Sequence, residues 1–98
     1  MRRSGRFVGK RVLVTGATRG IGFAIAKAFH EEGALVSLNG RTKSSAETAQ
    51  NKLPGSHMAF ADLSTVAGCQ GAVQTSIKNF GGLDILINNA GVFEKGSI

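Results

Sequence analysis

Apolar residues arrive along this chain in two rhythms. Arg11 to Val14, Ala34 to Leu38 and Leu83 to Ile87 contain short, nearly continuous apolar runs, and His57 to Ala61 places Met58 and Phe60 on one face. Runs of that length, bounded by glycine or polar clusters, read as strands buried in a parallel sheet. Between them the spacing changes. Ile21, Ala24, Ile25, Ala28 and Phe29 fall at i, i+3, i+4, i+7 and i+8, which predicts a helix burying that stripe, with Lys27, Glu31 and Glu32 facing outward. Val66, Cys69, Val73, Ile77 and Phe80 repeat the pattern in a later helix, making Cys69 a small core residue. A shorter helix between these two starts at or near Ser44, where Ser44-Ser45-Ala46-Glu47 has the form of a capping box, and stops at Pro54-Gly55. Gly33 and Gly81-Gly82 mark the ends of the other two, and His30 suits the last turn of the first.

Strand and helix alternating three times before a fourth strand is half of a doubly wound α/β sheet, with spatial order 3-2-1-4. Right-handed crossovers then put the first two helices on one face and the third on the other. That leaves the second face partly covered and the fourth strand as an apolar edge. In that order the switch point lies between strands one and four, and ligands bind across their C-terminal ends.

The residues at that switch point carry the chemistry. Thr15-Gly16-Ala17-Thr18-Arg19-Gly20-Ile21-Gly22 leads from the first strand into the first helix. Bare backbone running into a helix start gathers unpaired N–H groups and the positive end of the helix dipole, so an anion, most often a phosphate, belongs there. Gly16 permits a turn with positive φ, Gly20 lets backbone approach a ligand, and Gly22 lets the helix pack closely. At the end of the second strand stands Asn39-Gly40-Arg41. In a dinucleotide fold an acid at this point reads a ribose 2′-hydroxyl, whereas an arginine accommodates a 2′-phosphate. Gly40 occupies the acidic position and Arg41 follows it. The alternative is that Arg41 and Lys43 simply form a solvated turn.

Thr-Gly-x-x-x-Gly-x-Gly at residues 15–22, together with Asn88-Asn89-Ala90-Gly91 after the fourth strand, resembles the short-chain dehydrogenase/reductase family from about Arg11 to the last residue. The resemblance implies a three-layer Rossmann-type fold, represented by its first half, and a nicotinamide dinucleotide as cofactor. Thr15, Gly16, Thr18, Arg19, Gly20, Ile21, Gly22, Asn39, Arg41, Asp62, Leu63, Asn88, Ala90 and Gly91 are the cofactor-binding candidates. Arg19 and Arg41 are the pair of basic positions that goes with NADP(H) in the family. Asp62 is a candidate for holding the adenine, while Asp62 or Ser64 can equally cap the next helix. Asn89 is read as structural, and Asn88, Ala90 and Gly91 as lining the cleft.

Composition narrows the reading further. The net charge of +6 is concentrated in a lead, residues 1–10, and the start of the first strand, through Arg2, Arg3, Arg6, Lys10 and Arg11. The lead is expected to be frayed or loosely docked through Phe7 and Val8. Without Trp or Tyr, and without zinc-ligand spacing, a basic arm makes a poor base reader, so nucleic acid is not expected as the partner. One cysteine and two histidines argue against a disulfide or a metal site, and the short apolar runs against a membrane span; a cytoplasmic location is expected.

The family transfers hydride between nicotinamide and a carbonyl or alcohol carbon. It uses a tyrosine with a lysine four residues on, a serine, and an asparagine on a later helix. This sequence holds no tyrosine, and Ser97 lies too early, so no catalytic residue is assigned. The expectation is a partial dinucleotide-binding domain over residues 11–98, cut after the Asn-Asn-Ala-Gly segment and inactive by itself, from a reductase that forms dimers or tetramers in full length. The alternative is a non-catalytic dinucleotide-binding or regulatory module that pairs its open sheet edge with a partner.

Overall fold

The structure, a computed structural model, describes residues 5–59 and 65–89 of the chain. The elements run β1 (Arg11–Val14), α1 (Gly20–Glu31), β2 (Leu35–Leu38), α2 (Lys43–Lys52), β3 (His57–Met58), α3 (Val66–Phe80) and β4 (Ile85–Ile87). All strand pairs are parallel and the sheet order is β3-β2-β1-β4, one of the orders that alternating strands and helices with right-handed crossovers allow. Val14 stands level with both Leu38 and Ile87, so the residues following β1, β2 and β4 meet at one end of the sheet.

Strand alternation divides the core in two. Val12, Val14, Val36 and Leu38 point to the face covered by α1 and α2, where they join Ala26, Ala49 and Leu53. Leu13 points the other way, into a smaller cluster with Ala59 and Ala72 beneath α3. The second face is the thinner one. There Leu86 on the β4 edge is 50% exposed.

The helices lie on the sheet differently from the stripes that the large apolar residues predict. In α1 the buried residues are Gly22 and Ala26, four apart on one line, while Ile21 is 74% exposed and Ala24 and Ala28 are also on the surface. Phe23, Ile25 and Phe29 flank the contact line half-buried. The same holds for α3, which lays Ala72 and Ser76 on the sheet and leaves Val66, Cys69 and Ile77 exposed; Cys69 is therefore a surface residue, not a core one. The physical reason is common to both helices. Small residues let the helix axis come close to the backbone of the strands, and that proximity removes more surface than seating a large side chain at a distance. Ser76 satisfies its buried hydroxyl by donating to the Ala72 carbonyl one turn back, 3.0 Å away.

Two boundaries also shift. The cap of α2 is Thr42, whose hydroxyl accepts from the Ser45 N–H at 3.2 Å while the Ser45 hydroxyl faces the Thr42 N–H at 3.4 Å, so the box lies two residues before the expected one. Helix α3 is capped by Thr65, accepting from the Gly68 N–H at 2.9 Å, rather than by Asp62 or Ser64. The latter two residues, with Phe60, lie outside the described residues, and so do Leu63, Ala90 and Gly91.

Residues 5–10 are docked, not frayed. The Phe7 N–H donates to the Glu32 carbonyl at 3.0 Å, the Arg6 N–H donates to Glu32 Oε1 at 2.8 Å, and the Phe7 ring meets Phe29 edge-on at 4.8 Å. Arg11 closes the opposite edge. Its guanidinium grips Asp84 with Nε 2.8 Å from Oδ2 and Nη2 3.0 Å from Oδ1, and its N–H donates to Oδ2 at 2.8 Å. The Asp84 N–H returns a bond of 2.8 Å to the Arg11 carbonyl. This fork, between residues 73 positions apart, fixes the register of β4 on β1. It holds the Asp84 carboxyl well below the usual carboxylate range and raises the Arg11 guanidinium, chiefly through the shared hydrogen bonds.

Candidate functional site

At the C-terminal end of the sheet, three segments close around the turn after β1. The Thr15 N–H continues the ladder by donating to the Ile87 carbonyl at 2.9 Å. Its hydroxyl lies 3.2 Å from that same oxygen and 3.3 Å from Asn88 Oδ1, sharing one proton between two acceptors. Gly16 takes φ +60 and turns the chain away from the strand direction. Its two backbone groups are then held from opposite sides: Asn39 Oδ1 accepts from the Gly16 N–H at 3.1 Å, and Asn89 Nδ2 donates to the Gly16 carbonyl at 3.2 Å. The Ala17 N–H donates to the Asn39 carbonyl at 2.9 Å.

Asn39 is the strut of this arrangement. It is 2% exposed, and Nδ2 donates to the Ala59 carbonyl at 2.9 Å, which sets the amide orientation, because a flip would point donor at donor across Gly16. Its side chain thus joins β1, β2 and the end of β3 and does not face the cleft. The sequence reading places Asn39 among the cofactor-binding candidates; an amide placed directly after a buried apolar strand is the one local signal of a structural tie. Asn89 has the structural position expected of it, 2.8 Å from where a Cβ on Gly22 would stand, and that same Cβ would collide with the Gly16 carbonyl. Residue 22 must therefore be glycine for α1 to start where it does.

Helix α1 begins without a side-chain cap: Arg19 is its N-cap residue and makes no capping bond, and the first intrahelical bond runs from the Phe23 N–H to the Arg19 carbonyl at 3.3 Å. The N–H groups of Gly20, Ile21 and Gly22 precede that bond. Gly20, at φ +60, has open space where a Cβ would project. No acidic residue occupies the first turn of α1 or α2, while Arg19, Arg41 and Lys43 are all exposed at this end of the sheet. The result is a positively polarised cradle whose backbone is held from beneath by Asn39 and Asn89 and, among the described residues, is open above, and it suits a phosphate or diphosphate. Thr18 bridges it to the end of β2, its methyl lying against Gly40.

Of the predicted site residues, Thr15, Gly16, Thr18, Arg19, Gly20, Ile21, Gly22, Asn39, Arg41 and Asn88 are thus gathered at one end of the sheet. Asp62, Leu63, Ala90 and Gly91 fall outside the described residues. No group of three or more metal-ligating side chains occurs among the described residues, and none of their helices is long and apolar enough to cross a membrane.

A parallel sheet of order 3-2-1-4, with a glycine turn and an uncapped helix start at its switch point, defines the first half of a doubly wound, Rossmann-type nucleotide-binding fold. Residues 10–98 match the family model of the short chain dehydrogenases, and the chain belongs to that family. It is 50% identical over 91 residues to a glucose 1-dehydrogenase of Gluconobacter oxydans, covering 88% of this chain and 34% of the relative. To a 3-oxoacyl-[acyl-carrier-protein] reductase of Chlamydia trachomatis it is 37% identical over 94 residues, covering 91% and 38%. Among solved structures, a hydroxysteroid dehydrogenase from Escherichia coli superimposes with a TM-score of 0.80 at 26% identity, over 90% of this chain and 39% of that one. A 3-ketoacyl-(acyl-carrier-protein) reductase from Brucella melitensis complexed with NADH gives 0.75 at 36% identity, over 81% and 33%. The chain spans about a third of the length of these relatives.

Proposed function

We propose that this chain binds a nicotinamide dinucleotide across the C-terminal ends of β1 and β4, prefers NADPH to NADH, and is the cofactor-binding portion of a reductase or dehydrogenase acting on a carbonyl or alcohol carbon. The observation that carries the reading is the uncapped start of α1 above a Gly16 turn that is pinned on both sides by Asn39 and Asn89. The bound nicotinamide supplies or accepts the hydride. The chain's own residues bind and orient: Gly20, Ile21 and Gly22 offer N–H groups to the pyrophosphate, with Thr15 and Asn88 on the β4 side and Arg19 and Arg41 on the adenosine side. Asn39 serves as a positioning residue that acts through Gly16. Asp62, Leu63, Ala90 and Gly91 complete the binding set in this reading. Substrate oxygen chemistry is assigned to none of these side chains, and residues 1–10 form a lead to the 11–98 domain, docked where it is described, over residues 5–10.

The NADPH preference rests on the missing carboxylate at Gly40 and the guanidinium at Arg41. A charged hydrogen bond to a 2′-phosphate contributes about 1.5 to 3 kcal/mol, so Arg41→Ala should weaken NADPH by roughly ten- to a hundredfold and leave NADH nearly unchanged. Titration calorimetry with both nucleotides on both proteins tests this. Equal losses for the two would remove the preference, and no heat from either with folded wild-type chain would remove the dinucleotide reading.

A second reading is favoured by one observation: Leu86 on the β4 edge and Val66 and Ile77 on α3 leave apolar surface uncovered, 50%, 74% and 42% exposed. A dinucleotide-binding module that pairs this edge with a partner would show a defined complex in size-exclusion chromatography with light scattering.

A further inference from the structure

Position 40 stands where a dinucleotide fold carries the acidic side chain that reads a ribose 2′-hydroxyl. Its surroundings in this chain are unusually tight. A Cβ built on Gly40 would lie 2.6 Å from Thr18 Cγ2, 2.9 Å from Ser45 Oγ and 3.0 Å from the Ala46 backbone nitrogen. Ordinary carbon contacts begin near 3.5 Å, so all three neighbours would have to move. Each is tied down. Thr18 is β-branched, with two of its three staggered positions filled, and sits in the loop held by the Ala17 N–H bond to the Asn39 carbonyl. Ser45 Oγ takes part in the α2 capping box, 3.0 Å from Thr42 Oγ1 and 3.1 Å from the Thr42 carbonyl. The Ala46 N–H donates to the Thr42 carbonyl at 3.1 Å, and Ala46 itself is buried, so its nitrogen retreats only if the whole helix does.

We propose that Thr18 and the first turn of α2 form a specificity-determining wall that reserves position 40 for glycine and closes the pocket to a 2′-hydroxyl-reading carboxylate. Discrimination at the ribose is thereby handed to the neighbouring exposed Arg41, which has no such crowding to overcome. The proposal rests on the dinucleotide reading for its function, but the wall itself can be tested without any nucleotide.

Four proteins decide it: Gly40→Ala, Gly40→Asp, Thr18→Ala with Gly40→Ala, and Thr18→Ala with Gly40→Asp. Gly40→Ala adds no charge, and it should lower the melting temperature and weaken NADPH and NADH alike, by about tenfold. Removing the Thr18 methyl in the double variant relieves the tightest of the three contacts and should restore part of both losses, the Ser45 and Ala46 contacts keeping the rest. Gly40→Asp alone should gain no affinity for NADH, whereas Thr18→Ala with Gly40→Asp should bind NADH more tightly than wild type does. A Gly40→Ala protein with unchanged melting temperature, or a Gly40→Asp protein that turns to NADH without help at Thr18, overturns the wall. If wild type gives no heat with either nucleotide, the binding reading fails, and the melting temperatures of Gly40→Ala and its Thr18→Ala rescue still decide whether the wall exists.

Discussion

Replacing Asn39 separates a strut from a ligand contact. Asn39→Ala deletes the acceptor for the Gly16 N–H and the donor for the Ala59 carbonyl, at 3.1 and 2.9 Å, in a site where Asn39 is 2% exposed and water has no easy access. Each buried group left without a partner costs about 1 to 3 kcal/mol, so the substitution should cost about 3 kcal/mol or more. A domain of this length has only about 5 to 15 kcal/mol of stability to lose, and each kcal/mol moves the melting temperature by about 4 to 8 °C. Thermal unfolding followed by circular dichroism should therefore show a fall of at least about 10 °C. Asn39→Asp sharpens the test. Its carboxylate can still accept from Gly16 but meets the Ala59 carbonyl oxygen without a proton, so its folded pKa is raised above the unfolded value of about 3.9. The protonated acid can donate to Ala59 as the amide does. Its deficit relative to wild type should accordingly be small below about pH 4, grow as the pH rises through the raised value, and stay full at neutral pH. A melting temperature for Asn39→Ala within about 2 °C of wild type, with loss of nucleotide affinity alone, would refute the strut and return Asn39 to the cleft.

Three other expectations follow from named contacts. Asp84→Asn removes the anionic half of the fork with Arg11; because the folded Asp84 carboxyl titrates below its unfolded value, the stability that the wild-type fork adds is full above about pH 4 and declines as the pH falls from there through the lower folded value. The melting-temperature gap between wild type and variant should be widest near neutrality and close in acid, and a gap that ignores pH would contradict the assignment. Gly22→Ala drives a methyl into the Gly16 carbonyl and the Asn89 amide, and should destabilise by about 1 to 3 kcal/mol in denaturant titration; neutrality there would mean that α1 can back away from the turn. Ser37 lies wholly buried on the α3 face with no hydrogen-bond partner for its hydroxyl among the described residues, so Ser37→Ala should raise stability by about 1 kcal/mol, and a loss would reveal a partner for that oxygen.

Much of the architecture is legible in the order of the residues. Short apolar runs alternating with helical periods fix the element sequence, and crossover handedness narrows the orders to a few, of which the observed 3-2-1-4 is one. The glycine spacing from Gly16 to Gly22 marks the turn because φ and clearance are properties of single residues. The helix faces are less legible. A stripe of Ile21, Ile25 and Phe29 looks like a core face, but Gly22 and Ala26 win the contact because smallness permits approach, a property that hydrophobicity does not report. Ala72 and Ser76 repeat the lesson on α3, where Cys69 was expected inside and lies outside. Longer-range ties are the least legible. Asp84 in an otherwise apolar strand is a visible anomaly, yet nothing local says that its partner is Arg11 rather than solvent. Asn39 and Asn89 likewise acquire their roles only when they meet Gly16, 23 and 73 positions away in the chain.

Those separations also order events in time. Because β4 follows β2 and β3 in the chain yet lies directly beside β1, Thr15 and Gly16 emerge from a ribosome long before Ile87 and Asn89 exist to meet them. The anion cradle of a nascent chain therefore waits, half-latched by Asn39, until β4 closes a loop of 73 residues back to Gly16. Pairing β4 with β1 and latching the Gly16 turn from its second side become one and the same event during synthesis.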